Sequence, residues 1–112
     1  MPRKNALTKA PPYAVEQSLK RLGANLRTAR LRRNLTIEAV AEKIGTGPWP
    51  VSEAEKGKPS TSAAVYMALL WAYDLLAQME DVASPLRDEE GLARAAEGRE
   101  RARERSGLDN DF

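Results

Sequence analysis

The sequence predicts an all-α domain of five helices over residues 13–84, with a flexible arm over residues 1–12 and a charged tail over residues 85–112. Three observations carry this. Apolar residues recur three and four apart through the middle of the chain, which is one face of a helix. Threonine, serine and proline stand where helices would start, and glycine where they would stop. After Pro85 the apolar face disappears and charge takes over.

The arm, MPRKNALTKAPP, has no periodicity, ends in two prolines and carries Arg3, Lys4 and Lys9. It reads as a terminus that is either unstructured or reaches into a DNA groove. The first predicted helix runs from Tyr13 to Arg33. Val15, Leu19, Leu22, Leu26 and Ala29 form one stripe, and Lys20, Arg21, Arg27, Arg32 and Arg33 take the other face. Leu31 and Leu35 are expected to close this helix against the next. Gly23 in mid-helix costs stability relative to alanine and marks a close helix–helix contact.

In the second predicted helix Ile37, Val40, Ala41 and Ile44 share a face. Thr36 can cap its free N–H groups, and Gly45 supplies the positive φ that helix ends favour. A third short helix then starts at Pro48, where proline loses no hydrogen bond. Pro50 still falls in the first turn. Val51 and Ala54 face back to the second helix, and Gly57 stops the third. Helix, glycine-bearing turn and helix is the helix-turn-helix arrangement, and equally that of an ordinary helical hairpin.

Ser60, Thr61 and Ser62 supply caps for a fourth helix over residues 62–73, whose interior has no charged residue. A surface helix should show a polar face. This one is therefore expected to bury an outer face against a second copy of the chain, through Tyr66, Leu70, Trp71 and Tyr73, with Leu76 and Met79 beyond them. Asp74 breaks the run. Leu75, Leu76, Met79 and Val82 are expected to form a short fifth helix, ended by Ser84-Pro85. The tail has supportive pairs such as Glu90–Arg94 and Glu97–Arg101 but no apolar face, and Gly98 interrupts it. It is expected to be disordered alone or helical on a partner, with Leu86, Leu92, Leu108 and Phe112 as anchors.

The 112 residues carry a net charge of +2 with neither cysteine nor histidine. Thiol nucleophiles, disulfides, the usual zinc sites and Ser–His–Asp arrangements are thereby removed. No catalytic residue, metal or cofactor is expected, and the chain reads as a non-enzyme. No signal-like or membrane-length apolar run is present, so a cytoplasmic protein is expected. Charge is uneven: residues 20–60 carry nine basic and four acidic side chains, and residues 80–112 carry six basic and ten acidic. The positive segment coincides with the helix-turn-helix, where phosphates would lie.

The segment Leu22–Leu76 resembles the Cro/repressor-type (Xre-like) helix-turn-helix family. The matching residues are Leu26 and Arg30 in LRTAR, Leu35-Thr36, Ala41-Glu42-Lys43-Ile44-Gly45, Val51-Ser52 and Glu55-Lys56-Gly57-Lys58. The later run LLWAYDLLAQMEDVASPLRDEEGLA and the ending LDNDF are similar to a narrower group, the HipB-like antitoxins, which pair with HipA-type kinase toxins. The resemblance implies a Cro/repressor-like fold and binding of double-stranded DNA at a near-palindromic operator by a homodimer. It also implies an Arg30–Glu55 ion pair and a kinase toxin as partner.

By the same resemblance the third helix enters the major groove, with Gly47, Pro48, Trp49, Ser52 and Glu53 at base edges. Trp49 either packs on thymine methyl groups or is buried in protein, Glu53 can accept from cytosine, and Ser52 can meet a base or a phosphate. Two prolines and a glycine depart from the polar residues usual here, as does Ile37 from the usual glutamine. Arg27, Arg30, Thr36, Thr46, Lys56 and Lys58 are the phosphate candidates. Three functions compete: an autoregulating repressor that serves as an antitoxin, a stand-alone phage-repressor-type regulator, and a protein-interaction module with weak DNA binding.

Overall fold

The protein, seen in a computed structural model, is described over residues 5–110, with side chains over residues 5–106. Among the described residues it is all-helical, with α1 (Ala6–Lys9), α2 (Tyr13–Arg32), α3 (Ile37–Ile44), α4 (Pro48–Glu55), α5 (Ala63–Ala72) and α6 (Glu89–Asn110). Two 3₁₀ helices, Leu76–Asp81 and Pro85–Arg87, lie between α5 and α6. One compact unit ends at Ala77 and a second begins at Gln78.

In the first unit four successive helices end in the same way. Within two residues of each helix end one residue sits in the left-handed region: Asn34 at φ 54°, Gly45 at 82°, Gly57 at 69° and Asp74 at 59°. Each is followed by paired backbone bonds back into the last turn. For α2 these are Asn34 N–H to Leu31 O at 3.0 Å and Leu35 N–H to Arg30 O at 3.3 Å. For α5 they are Asp74 N–H to Trp71 O at 3.1 Å and Leu75 N–H to Leu70 O at 2.8 Å. This double closure satisfies carbonyls that a helix end leaves free, and it turns the chain sharply. Asparagine and aspartate tolerate the conformation better than other non-glycine residues.

The turns fold α4 against α2, α3 and α5, with α3 also on α5. Leu26, Val40, Val51, Ala54, Leu69 and Tyr73 are each no more than 1% exposed. Each fully buried leucine or valine contributes about 1.5–3 kcal/mol. The α2–α4 contact is unusually close because two glycines make it. A Cβ on Gly23 would lie 2.6 Å from the carbonyl oxygens of both Ala54 and Glu55. Gly57 in turn sits on the backbone of Leu19 and Lys20.

Several expectations need correction. Tyr66, Leu70 and Tyr73 are buried in the chain's own core, not offered to a second copy. Helix α5 is only ten residues long, and α3 and α4 both pack on it, so two neighbours suffice to cover most of it. Its open side is Ala63, Ala64, Met67 and Trp71, and Trp71 is 54% exposed. The fifth element is 3₁₀ rather than α, with Leu76 and Val82 exposed and Met79 half-buried. Leu31 points to solvent, and on α2 Val15 is exposed and Leu19 half-buried. Within the arm, Asn5 Oδ1 accepts from the Leu7 N–H at 2.9 Å and nucleates the single turn of α1. Arg3 and Lys4 lie outside the described residues.

In the second unit α6 is one continuous helix through Gly98, made of helix-favouring alanine, glutamate and arginine. Asp88 Oδ1 accepts from the Gly91 N–H at 3.0 Å in its first turn, and Arg94 pairs with Glu90. Leu86 and Leu92 are exposed. Leu108 and Phe112 lie outside the residues whose side chains are described. No helix among the described residues is long and apolar enough to cross a membrane.

Candidate nucleic-acid interface

The interface is built on α3, the turn Gly45–Gly47, and α4. Thr36 Oγ1 accepts from the Ala39 N–H at 3.0 Å and fixes the start of α3. At its end Gly45 N–H bonds Glu42 O at 3.2 Å and Thr46 N–H bonds Ala41 O at 2.9 Å. Gly47 then returns to extended backbone and α4 begins at Pro48. Val51 and Ala54, three apart, are fully buried and set the inward face of α4. The opposite side must therefore face solvent.

That outward side holds Trp49, and Gly47 and Pro48 are exposed beside it at the helix start. Trp49 is 70% exposed, so it is not a core residue of this chain. Lys56 Nζ sits 5.7 Å from its ring centroid, one helical face along, and 3.9 Å from Glu53 Oε1. A Cβ at Gly47 would meet no atom within 4 Å. Its φ of −79° suits any residue, so this glycine leaves room for close approach from outside rather than serving a turn. Pro48 and Pro50 have no N–H, so the first turn of α4 presents fewer backbone donors to an anion than an ordinary helix start. Base edges or phosphates there must be met mainly by side chains.

The other candidates divide. Arg27, Thr36, Lys56 and Lys58 are exposed, and Thr46 and Ser52 are half-buried. Glu53 is only 18% exposed at its side chain. It turns toward a cleft of about 270 Å³ that it shares with Trp49, Pro50 and the Ser60–Ser62 loop, which is a poor position for reading cytosine. Arg30 turns its guanidinium into the chain. Its Nε donates to Glu55 Oε2 at 2.7 Å, Nη2 to Glu55 Oε1 at 3.0 Å and Nη1 to Leu35 O at 2.9 Å. The two side chains are 9% and 6% exposed. The Glu55 bond raises the Arg30 pKa above its ordinary value against the opposing effect of burial. The pair ties the last turn of α2 to the last turn of α4 and so sets how α4 is presented.

Sequence reasoning missed two supports. Helix α5 has no basic residue in its own last turn. Instead Arg33 Nη2 donates to Tyr73 O at 2.9 Å, and Lys43 Nζ donates to Ala72 O at 3.3 Å. Their charges complement the negative end of the helix. Lys43 also lies 5.7 Å from the Trp71 ring, and Arg33 lies 5.5 Å from that of Tyr73. Nothing in the spacing of Arg33 or Lys43 pointed to α5, because both belong to other helices. The Ser60–Ser62 loop was legible only as a cap, which Ser62 provides to Val65 N–H at 3.4 Å.

Comparison with known proteins adds one match. A family model described as a helix-turn-helix domain matches residues 21–83. No curated protein and no solved structure matches the chain.

Proposed function

The chain belongs to that helix-turn-helix family, and on this premise we propose that it is a sequence-specific repressor that binds a near-palindromic operator as a homodimer. The observation that carries the reading is the outward face of α4: Val51 and Ala54 are locked inward, while Trp49 stands 70% exposed at the helix start. Lys56, Lys58 and Arg27 flank it as exposed cations. Trp49 and Pro48 read base edges by apolar contact with thymine methyl groups, with Ser52 beside them. Thr36, Thr46 and the three cations hold phosphates and set the register. Dimerisation uses the open strip of α5, Met67 and Trp71, with Leu76 beyond it. We further propose, from the resemblance of residues 69–93 to HipB-like antitoxins, that the protein serves as the antitoxin of a HipA-like kinase toxin and represses its own operon. Its charged tail, residues 85–112, is the segment proposed to engage that toxin.

The test is titration of an upstream operator fragment of about 20–30 base pairs at increasing salt. Binding should weaken steeply with salt, and Trp49→Ala should lose the preference for operator over mixed-sequence DNA. Binding without any salt dependence would overturn the assignment.

A further inference from the structure

A second basic surface lies away from the helix start. A groove of about 490 Å³ is lined by Thr8, Lys9, Glu16, Lys20, Lys56 and Lys58, among others. Three separate stretches of chain meet there: α1, the N-terminal half of α2, and the loop after α4. What brings them together is the glycine contact. Gly57 lies against the backbone of Leu19 and Lys20, so the lysines on either side of Gly57 come beside Lys20. Pro11 and Pro12 then carry α1, with Lys9 at its end, to the same groove.

Four lysines therefore line the groove with one glutamate, and of these Lys56 turns its Nζ to Glu53 and the Trp49 ring. Glu16 pairs with Lys20 at 2.9 Å, but both side chains are substantially exposed, at 40% and 57%. Such a pair contributes little and opens readily. Lys9 and Lys58 are exposed and have no carboxylate within salt-bridge distance among the described residues. A groove with this balance is suited to an anion with several oxygens.

We infer that this groove holds the DNA backbone, gripping phosphodiesters that flank the major groove occupied by α4. The inference rests on the DNA-binding reading and extends its footprint to Lys9 and Lys20. Helix α4 is eight residues long, which spans about 12 Å. The major groove is also about 12 Å wide. With the start of α4 among the bases, its far end and the lysines around Gly57 reach the phosphate wall. Lys9 and Lys20 continue that contact along the strand. They add affinity and salt dependence without reading sequence.

The experiment uses the full chain and a mixed-sequence duplex of about 20 base pairs, two helical turns. Binding is measured across a salt series, with circular dichroism confirming the fold of each variant. The Lys9→Ala/Lys20→Ala double variant should lower the log–log salt slope by about one to two units. Lys9→Arg/Lys20→Arg should keep the wild-type slope, because charge is what acts. Glu16→Gln should move the other way and tighten binding. If the wild type shows a slope and the alanine variant keeps it, the groove is not a backbone contact, while the DNA-binding reading stands. A slope lost equally in the arginine variant also overturns the groove. If the wild type shows no salt-dependent binding, both readings fall.

Discussion

Gly23→Ala sets two opposing effects against each other, and the structure decides which is larger. Gly23 is in the interior of α2, where alanine is favoured by about 0.8–1 kcal/mol from helix propensity alone. Its Cβ would lie 2.6 Å from Ala54 O, 2.6 Å from Glu55 O and 2.7 Å from Gly57 N, whereas ordinary contact begins near 3.4 Å. All three neighbours are backbone atoms, so no side chain can rotate away. The helices must separate, and overpacking of this kind costs typically about 1–3 kcal/mol. Separation also strains the Arg30–Glu55 pair, whose bonds of 2.7 and 3.0 Å bridge the same two helices. It further loosens Val51 and Ala54, both fully buried on α4. The clash outweighs the propensity gain, and subtracting that gain leaves an expected net loss of up to about 2 kcal/mol.

For a domain of this size each kcal/mol lowers Tm by about 4–8 °C. Thermal and urea denaturation at one fixed protein concentration would measure it, since self-association makes Tm concentration-dependent. Because α4 is displaced, DNA affinity should fall as well. A variant as stable as the wild type, or more stable, would refute the close α2–α4 contact.

Other outcomes follow from single groups. Arg30→Ala leaves the Glu55 carboxylate 6% exposed without its partner, and should cost about 3–5 kcal/mol in denaturation, while Glu55→Gln, which keeps a hydrogen-bonding acceptor, should cost less. Burial pushes the Tyr73 hydroxyl pKa up to about 12, so the folded state favours its neutral form. That stabilisation is fully present below pH 10 and is lost as pH rises through 12, by up to about 2–3 kcal/mol. Tyr73→Phe should remove this part of the alkaline decline, read as the difference between the two pH–stability curves. It should cost little near neutrality, because the Tyr73 hydroxyl has no hydrogen-bond partner among the described residues. Trp71→Ala should weaken self-association in sedimentation while leaving the helical content of the first unit intact, since the side chain is 54% exposed. Self-association that is absent in the wild type, or unchanged in the variant, would refute the proposed α5 interface.

The helical class, the helix-turn-helix and most helix ends were legible in the sequence because they are local. Thr36 and Ser62 cap from one side, and Gly45, Gly57 and Asp74 reverse the chain from the other, each within one turn of its own helix. The stop at Asn34 was the exception, since asparagine adopts the left-handed conformation less often than glycine and gave no distinct signal. Gly23 announced a close contact because a glycine inside a helix is costly unless something needs the space. Its partner across the contact, Gly57, was readable only as a stop.

Only the tertiary structure decided which side of an apolar helix is covered. Helix α5 has apolar residues all round, so periodicity assigns it no face, and Tyr66, Leu70 and Tyr73 could not be told apart from Met67 and Trp71. Packing of α3 and α4 made that choice. It likewise drew Arg30 into its pair with Glu55, placed Glu53 in a cleft with the Ser60–Ser62 loop, and set Arg33 and Lys43 on the end of a helix remote in sequence. A charge on a chain has a sign but no address until its neighbours are fixed. The lysines at positions 9, 20, 56 and 58 gain theirs from two glycines that let the backbones of α2 and α4 touch.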